Sequence, residues 1–148
     1  MVVAVRYRLP QAFEDIGHVA DVGIRVRGRS AEEALARLVL AFATLVTGGG
    51  PVALEREERI SVAGGPGLAG TAVALLRELL FRLATVRKVP VEIEVLSVDE
   101  SGAVATVAFG RYDPERHAEG ADVKAVTRHA ARLEPEGDGW VAQVVMDI

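Results

Sequence analysis

Two stretches with apolar residues at helical spacing, followed from residue 90 by little but period-two alternation, constrain the fold of this chain more than any other feature. In the first, Ser30 and Glu33 form a capping-box signature. Ala34, Leu35, Leu38, Val39, Phe42 and Leu45 then recur at three- and four-residue intervals, which predicts a helix over about 31–46. Gly48-Gly-Gly-Pro51 should end it, because glycine entropy and the missing proline N–H both oppose continuation. In the second, Val73, Leu75, Leu76, Leu79, Leu80 and Leu83 predict a helix over about 69–86, with its few charges on one side and the rest well buried. Beyond it, Val91, Ile93 and Val95 alternate with Glu92 and Glu94. Asp99-Glu-Ser-Gly102 reads as a turn into a strand over 103–109, and Glu136-Gly-Asp-Gly139 as the hairpin between strands near 122–133 and 140–147. Ahead of the helices, residues 2–8 read as a short strand, Val22, Ile24 and Val26 mark another, and Arg59 to Val62 fits a further one. Helical and strand patterns are segregated rather than strictly alternating. That favours an α+β fold, a largely antiparallel β-sheet with two helices packed on one face, in a single domain over residues 1–148.

Composition narrows the function classes. A chain of 148 residues can bury roughly two-thirds of the surface its unfolded form exposes, so a sizeable core is expected. There is no cysteine, which excludes disulfides, thiolate zinc sites and cysteine nucleophiles and leaves oxygen and imidazole as the available metal donors. The net charge of −4 argues against strong independent binding of nucleic acid, which rests on phosphate neutralisation by clustered Lys and Arg. No signal-peptide pattern opens the chain. No apolar run reaches transmembrane length, since Thr71 to Leu83 is broken by Arg77, Glu78 and Arg82. A cytoplasmic protein with no membrane association is the expectation.

Three segments carry residues that could do chemistry. In His18-Val-Ala-Asp21-Val-Gly23, two polar side chains stand immediately before an apolar strand. Asp21 reads either as a ligand or as an aspartate that caps a turn through its backbone N–H groups. At the end of the chain, the apolar run Trp140 to Met146 finishes in Asp147 and the terminal carboxylate of Ile148. Two oxygen donors thus leave a rigid element, unless the end is simply frayed. Hard oxygen donors without thiolate suit Ca²⁺ or Mg²⁺. The third segment is Asp122-Val-Lys-Ala-Val-Thr-Arg-His129, where Lys124 is one of only two lysines beside fifteen arginines. Its compact ammonium suits a carboxylate or phosphate, or is a solvated strand charge.

Taken in order, the three segments resemble the archease family. The first is similar to that family's H-T-A-D-[VI]-G and the third to its [ED]-[VI]-K-A-[VI]-T-Y-H, with Phe109-Gly-Arg-Tyr112, His117 and Trp140-Val-Ala-Gln143 as further matches. Val19 and Arg128 depart from the family's Thr and Tyr, and neither is a proposed ligand. The resemblance implies a divalent cation, Ca²⁺ first with Mg²⁺ or Mn²⁺ as alternatives, held by Asp21, Asp147 and Ile148. It implies Lys124 and His18 as contacts to a partner or phosphate. It also implies a non-catalytic activator of an RtcB-type RNA ligase, promoting the ligase's guanylylation and multiple turnover in tRNA splicing or RNA repair, with RNA met only through the ligase.

Other readings stay open on the residues alone. His18, His117 and His129 could compose a three-histidine zinc site, although no recognised zinc spacing joins them. A small metal-dependent hydrolase would use the same carboxylates, and a general chaperone or protein-binding module would use the leucine-rich second helix as its contact surface. Gly64-Gly-Pro-Gly-Leu-Ala-Gly70 lacks the lysine of a phosphate-binding loop and should be a structural turn.

Overall fold

The computed structural model describes residues 4–16 and 21–148. In chain order the elements are β1 (Tyr7–Arg8), β2 (Glu14–Asp15), β3 (Asp21–Gly28), α1 (Ala31–Thr47), β4 (Leu54–Ala63), α2 (Gly67–Val86), β5 (Lys88–Asp99), β6 (Gly102–Arg111), β7 (Ala125–Glu136) and β8 (Gly139–Asp147). Every strand pairing is antiparallel, as the segregated pattern implies. The strands are divided between two four-stranded sheets, β1-β5-β6-β4 and β2-β3-β8-β7, and each helix touches strands of both. The two helices therefore join the sheets around one continuous apolar core.

Helix α1 starts where the sequence says it should. Ser30 is extended, and its Oγ accepts the N–H of Glu33 at 3.1 Å. The other half of the box is displaced by one residue, because the Glu33 carboxylate accepts the N–H of Arg29 at 2.8 Å and also the hydroxyl of Tyr7. That second bond ties β1 to the helix start, where Arg29 and Arg37 add charge. Gly48 closes the helix in the left-handed region at φ 67°, its N–H reaching the carbonyl of Thr44.

Three expectations change. The N-terminal strand is confined to Tyr7–Arg8 within the described residues, held by the pairings Tyr7 with Ile93 and Arg8 with Glu92; residues 1–3 lie outside them. Strand β4 runs from Leu54 to Ala63, well beyond 59–62, because it follows β6 as an edge strand. Its outer positions carry Glu55, Arg56, Glu57 and Arg59, charges that discourage further strand pairing and hide the apolar signal. The more buried helix is α1, none of whose residues is exposed, while α2 buries Val73, Leu75, Leu76 and Leu79 and leaves Phe81 and Val86 largely exposed.

The glycine-rich turn before α2 is structural, as expected. Thr71 Oγ1 donates to the carbonyl of Asp99 at 2.8 Å and accepts the N–H of Gly65 at 3.2 Å, pinning the turn to the β5–β6 hairpin. No helix is long and apolar enough to cross a membrane among the described residues.

Glu33 links this fold to pH. Burial works to raise its carboxyl, but the Tyr7 hydroxyl, the Arg29 N–H and the guanidinium groups of Arg37 and Arg29 together hold it below the usual carboxylate value. A depressed carboxyl contributes stability that is complete above the unfolded value of about 4.3 and lost as pH falls through the lower folded value. Thermal unfolding from neutral to acid pH should show Glu33→Gln less stable than wild type at pH 7, with the two melting temperatures converging on acidification. Parallel curves would remove Glu33 as the source.

Candidate functional site

The site is built at one end of the second sheet. β3 begins at Asp21, β8 ends at Asp147, and their antiparallel register sets these two residues directly opposite each other. Directly opposed Cβ atoms lie roughly 4.5–5.5 Å apart, so the two carboxylates share one small space. Val22, Ile24 and Val26 and their partners Met146, Val144 and Ala142 belong to the core under the helices. By strand alternation Asp21 and Asp147 stand on the opposite face, turned away from the helices.

Strand β7 closes the other side of β8. Ala125 lies opposite Asp147, and the Lys124 N–H donates to the Asp147 carbonyl at 2.8 Å. Asp147 is thus held by β3 on one side and by the start of β7 on the other, and the Lys124 side chain is exposed. Ile148 follows, 45% exposed. His18 lies outside the described residues.

Gly23 has a steric reason to be in the first segment. A Cβ there would meet Ile16 Cγ1 at 2.4 Å, and the Ile16 N–H donates to the Gly23 carbonyl at 2.8 Å, so β2 folds down on β3 only because position 23 is bare. On the same outward face Gln143 is buried: its Oε1 accepts from Arg25 Nε and its Nε2 donates to the Ala130 carbonyl, both at 2.8 Å. That carbonyl belongs to a bulge. The β7 register passes from Thr127 opposite Val145 to Arg132 opposite Gln143, with Ala130 left-handed at φ 55°. Arg128 and His129 are carried out to solvent there. The role of Gln143 was not evident in the sequence. Its only signal is a lone amide in an otherwise apolar strand.

Among the described residues no group of three or more His, Cys, Asp or Glu is arranged to hold a metal ion. The two opposed carboxylates would need Ile148 and backbone oxygens to complete a coordination shell, as hard cations accept. The donor set fits such an ion, because like charges directly opposite on neighbouring strands repel and a cation between them relieves the repulsion. The three-histidine zinc site loses a member. His117 is 1% exposed, its Nδ1 accepts the Asp113 N–H at 2.9 Å, and its Nε2 meets the Pro51 carbonyl at 3.2 Å, so it staples the loop after β6.

An antiparallel two-sheet α+β protein with a pair of opposed carboxylates at the exposed end of one sheet is the class these observations define. The chain belongs to the Archease protein family (MTH1598/TM1083), whose model matches residues 13–148. It is 34% identical to the archease of Methanopyrus kandleri, over 92% of this chain and 99% of that protein. It is 31% identical to the archease of Methanosarcina acetivorans, over 92% and 95% respectively. The fold is similar to the solution structure of Methanobacterium thermoautotrophicum protein 1598, with a TM-score of 0.68 and 26% identity over 92% of this chain and 98% of that one. The crystal structure of a Thermotoga maritima archease described as a possible chaperone shares the fold at a TM-score of 0.59 and 20% identity, over 91% and 96%.

Two substitutions test how the outward face is held. Gln143→Ala strands the Arg25 Nε and the Ala130 carbonyl and should cost about 1–3 kcal/mol in denaturant unfolding. Gly23→Ala should cost a similar amount, about 1–3 kcal/mol, by forcing Ile16 off β3. Unchanged midpoints would show that the bulge and β2 are held by other contacts.

Proposed function

We propose that this protein is a metal-binding accessory protein that activates an RtcB-type RNA ligase, promoting guanylylation of the ligase and its multiple turnover in tRNA splicing or RNA repair, without catalysing a reaction itself. The observation that supports the reading is the register of β3 on β8, which sets Asp21 against Asp147 in a chain of the archease family. Asp21, Asp147 and the carboxylate of Ile148 would hold a divalent cation, most readily Ca²⁺, with Mg²⁺ or Mn²⁺ as alternatives. When bound, the ion supplies positive charge and open coordination positions for phosphate or carboxylate oxygens.

The protein's own groups have separable tasks in this reading. Asp21 and Asp147 present the ion from a sheet end held by backbone hydrogen bonds, so its position relative to the fold is set. Lys124 offers its exposed ammonium beside Asp147 to a phosphate or acidic group of the ligase, and His18 is assigned the same partner-facing role. The net charge of −4 agrees with RNA being met only through the ligase. The place of action is the cytoplasm.

A hydrolase is not favoured, because among the described residues no further His, Cys, Asp or Glu gathers with the pair to serve as a base. A chaperone role has some support in the description of the Thermotoga protein as a possible chaperone. Its contact surface cannot be the leucine-rich face of α2, which is in the core, so Phe81, 62% exposed, and Val86 would have to serve instead.

Ligation by limiting ligase under multiple turnover should be stimulated by wild type and not by Asp21→Ala or Asp147→Ala. Ca²⁺ at about a hundred times its dissociation constant should stabilise wild type by about 2.7 kcal/mol and raise its melting temperature by roughly 5–10 °C. Both aspartate variants should lose that shift. Full stimulation by either variant would discard the metal-site mechanism, and broad suppression of aggregation by all three proteins would favour the chaperone.

A further inference from the structure

A second polar site lies away from the acidic sheet end, in a cleft of about 620 Å³ between the end of α2, the start of β4 and the loop after β6. Arg87, Arg111, Arg116 and Tyr112 line it together with Glu55 and Asp113, and it includes neither Asp21 nor Asp147. The balance of charge is positive. Asp113 is engaged in its own turn, with Oδ1 accepting the Glu115 N–H at 2.9 Å and Oδ2 lying 3.8 Å from Arg116.

Arg87 and Arg111 share the lack of a carboxylate partner with Arg56, Arg59, Arg77 and Arg128, but here two such groups line one cleft, whereas many other surface arginines are paired. Arg6, Arg8, Arg25, Arg27, Arg29, Arg37, Arg82 and Arg132 all have carboxylate partners. Among the described residues, Arg87 and Arg111 form no ion pair. The β5–β6 register also sets Arg111 directly opposite Lys88, a like-charge pair that disfavours the sheet. Glu58 neutralises Lys88 at 2.6 Å and serves Arg82 as well, leaving the charge of Arg111 uncompensated. Arg87 caps α2 in the left-handed region, at φ 58° and ψ 34°, where glycine would be less strained. A non-glycine residue held in this region is a reason to look for a use of its side chain.

Tyr112 orients Arg87. Its N–H donates to the Arg87 carbonyl at 2.7 Å, and its ring lies 6.0 Å from the Arg87 guanidinium carbon. The ring also has His117 tilted against it at 5.4 Å, so Arg87 and His117 already take up part of its surface. The cleft volume lies in the range of small-molecule sites, roughly 300–1,000 Å³.

We propose that this cleft binds a phosphate-bearing ligand of nucleotide size, gripping the phosphate with the guanidinium groups of Arg87, Arg111 and Arg116 and making little discrimination between bases. Planar guanidinium forks match phosphate oxygens two at a time, which suits three arginines lining one hollow. The source is either a free nucleotide or the phosphorylated end of an RNA strand that the ligase presents, and the two share this chemistry. The proposal is independent of the acidic sheet end.

Isothermal titration of the full-length protein at low salt with pyrophosphate, AMP and CMP tests it. Saturable binding is expected, with AMP and CMP within about threefold of each other, and with Arg111→Gln and Arg116→Gln each weakening binding by roughly tenfold or more. Arg87→Gly separates a ligand role from a structural one: it should bind as weakly as the other variants while melting no lower than wild type, because glycine suits the left-handed cap. Asp147→Asn should bind as wild type does. A 5′-phosphorylated tetraribonucleotide that binds more tightly than both AMP and its unphosphorylated form would assign the RNA end, and the reverse order against AMP would assign the free nucleotide. Absence of saturable binding to pyrophosphate and to both mononucleotides at millimolar concentration, or affinity undiminished in Arg111→Gln and Arg87→Gly, would overturn the proposal.

Discussion

Helix α1 is apolar on nearly every side, and a helix of that kind has to be covered on every side. One sheet covers one face of a helix, so the remaining apolar surface, Leu35, Leu38, Val39, Leu40, Phe42 and Val46 among it, calls for a second layer. The two sheets supply it, one through β5 and the other through β3 and β8. Each large side chain buried this way contributes roughly 1.5–3 kcal/mol, and among the described residues no other element is covered so completely. The ends of the helix are closed by polar devices. Glu33 collects Tyr7, Arg29 and Arg37 at one end, and at the other the Ala121 N–H donates to the Leu45 carbonyl at 2.9 Å. Gly120 fits there only because it lacks a Cβ, which would approach the Val46 carbonyl oxygen to 2.0 Å.

The acidic sheet end follows from this arrangement. β8 is buried from Val141 to Met146, with its even-numbered residues in the core under the helices and Gln143 on the other face tied to Arg25 and the β7 bulge. A strand so held cannot slip in register, because a shift of one residue would turn its whole core set outward. The pairing of Asp21 with Asp147 is therefore set by the packing of Val22, Ile24, Val144 and Met146, whatever the carboxylates themselves prefer. Like charges directly opposite on neighbouring strands disfavour the pairing, so it is the core that carries the register here.

Much of the architecture was legible because it depends on local patterning. The helices begin and end within a residue or two of where capping and glycine place them, and the Asp99–Gly102 and Glu136–Gly139 turns join the strands that the alternation marks. What escaped depends on partners distant in sequence. β4 carries no clean alternation because its outer positions are charged, and the shortness of β1 reflects how little of it meets β5. The bulge at residues 128–131 is stabilised by Gln143 and Arg25, neither of which is near it in the chain.

For the candidate site, the three segments could be picked out residue by residue, and their order along the chain was enough to mark a resemblance to archease. Residues 18–23 and 147–148 lie at opposite ends of the sequence, and no spacing rule relates them. The sequence by itself determined which segments become helices and strands, which residues could donate oxygen to a cation, and that sulfur could not. Only the tertiary structure decided that the strands divide into two sheets, that Asp21 stands against Asp147, and that Arg87, Arg111 and Arg116 gather in one cleft. The physical reason is that helix and strand preferences act over a few residues, whereas register and cleft formation are set by burying apolar surface across the whole chain.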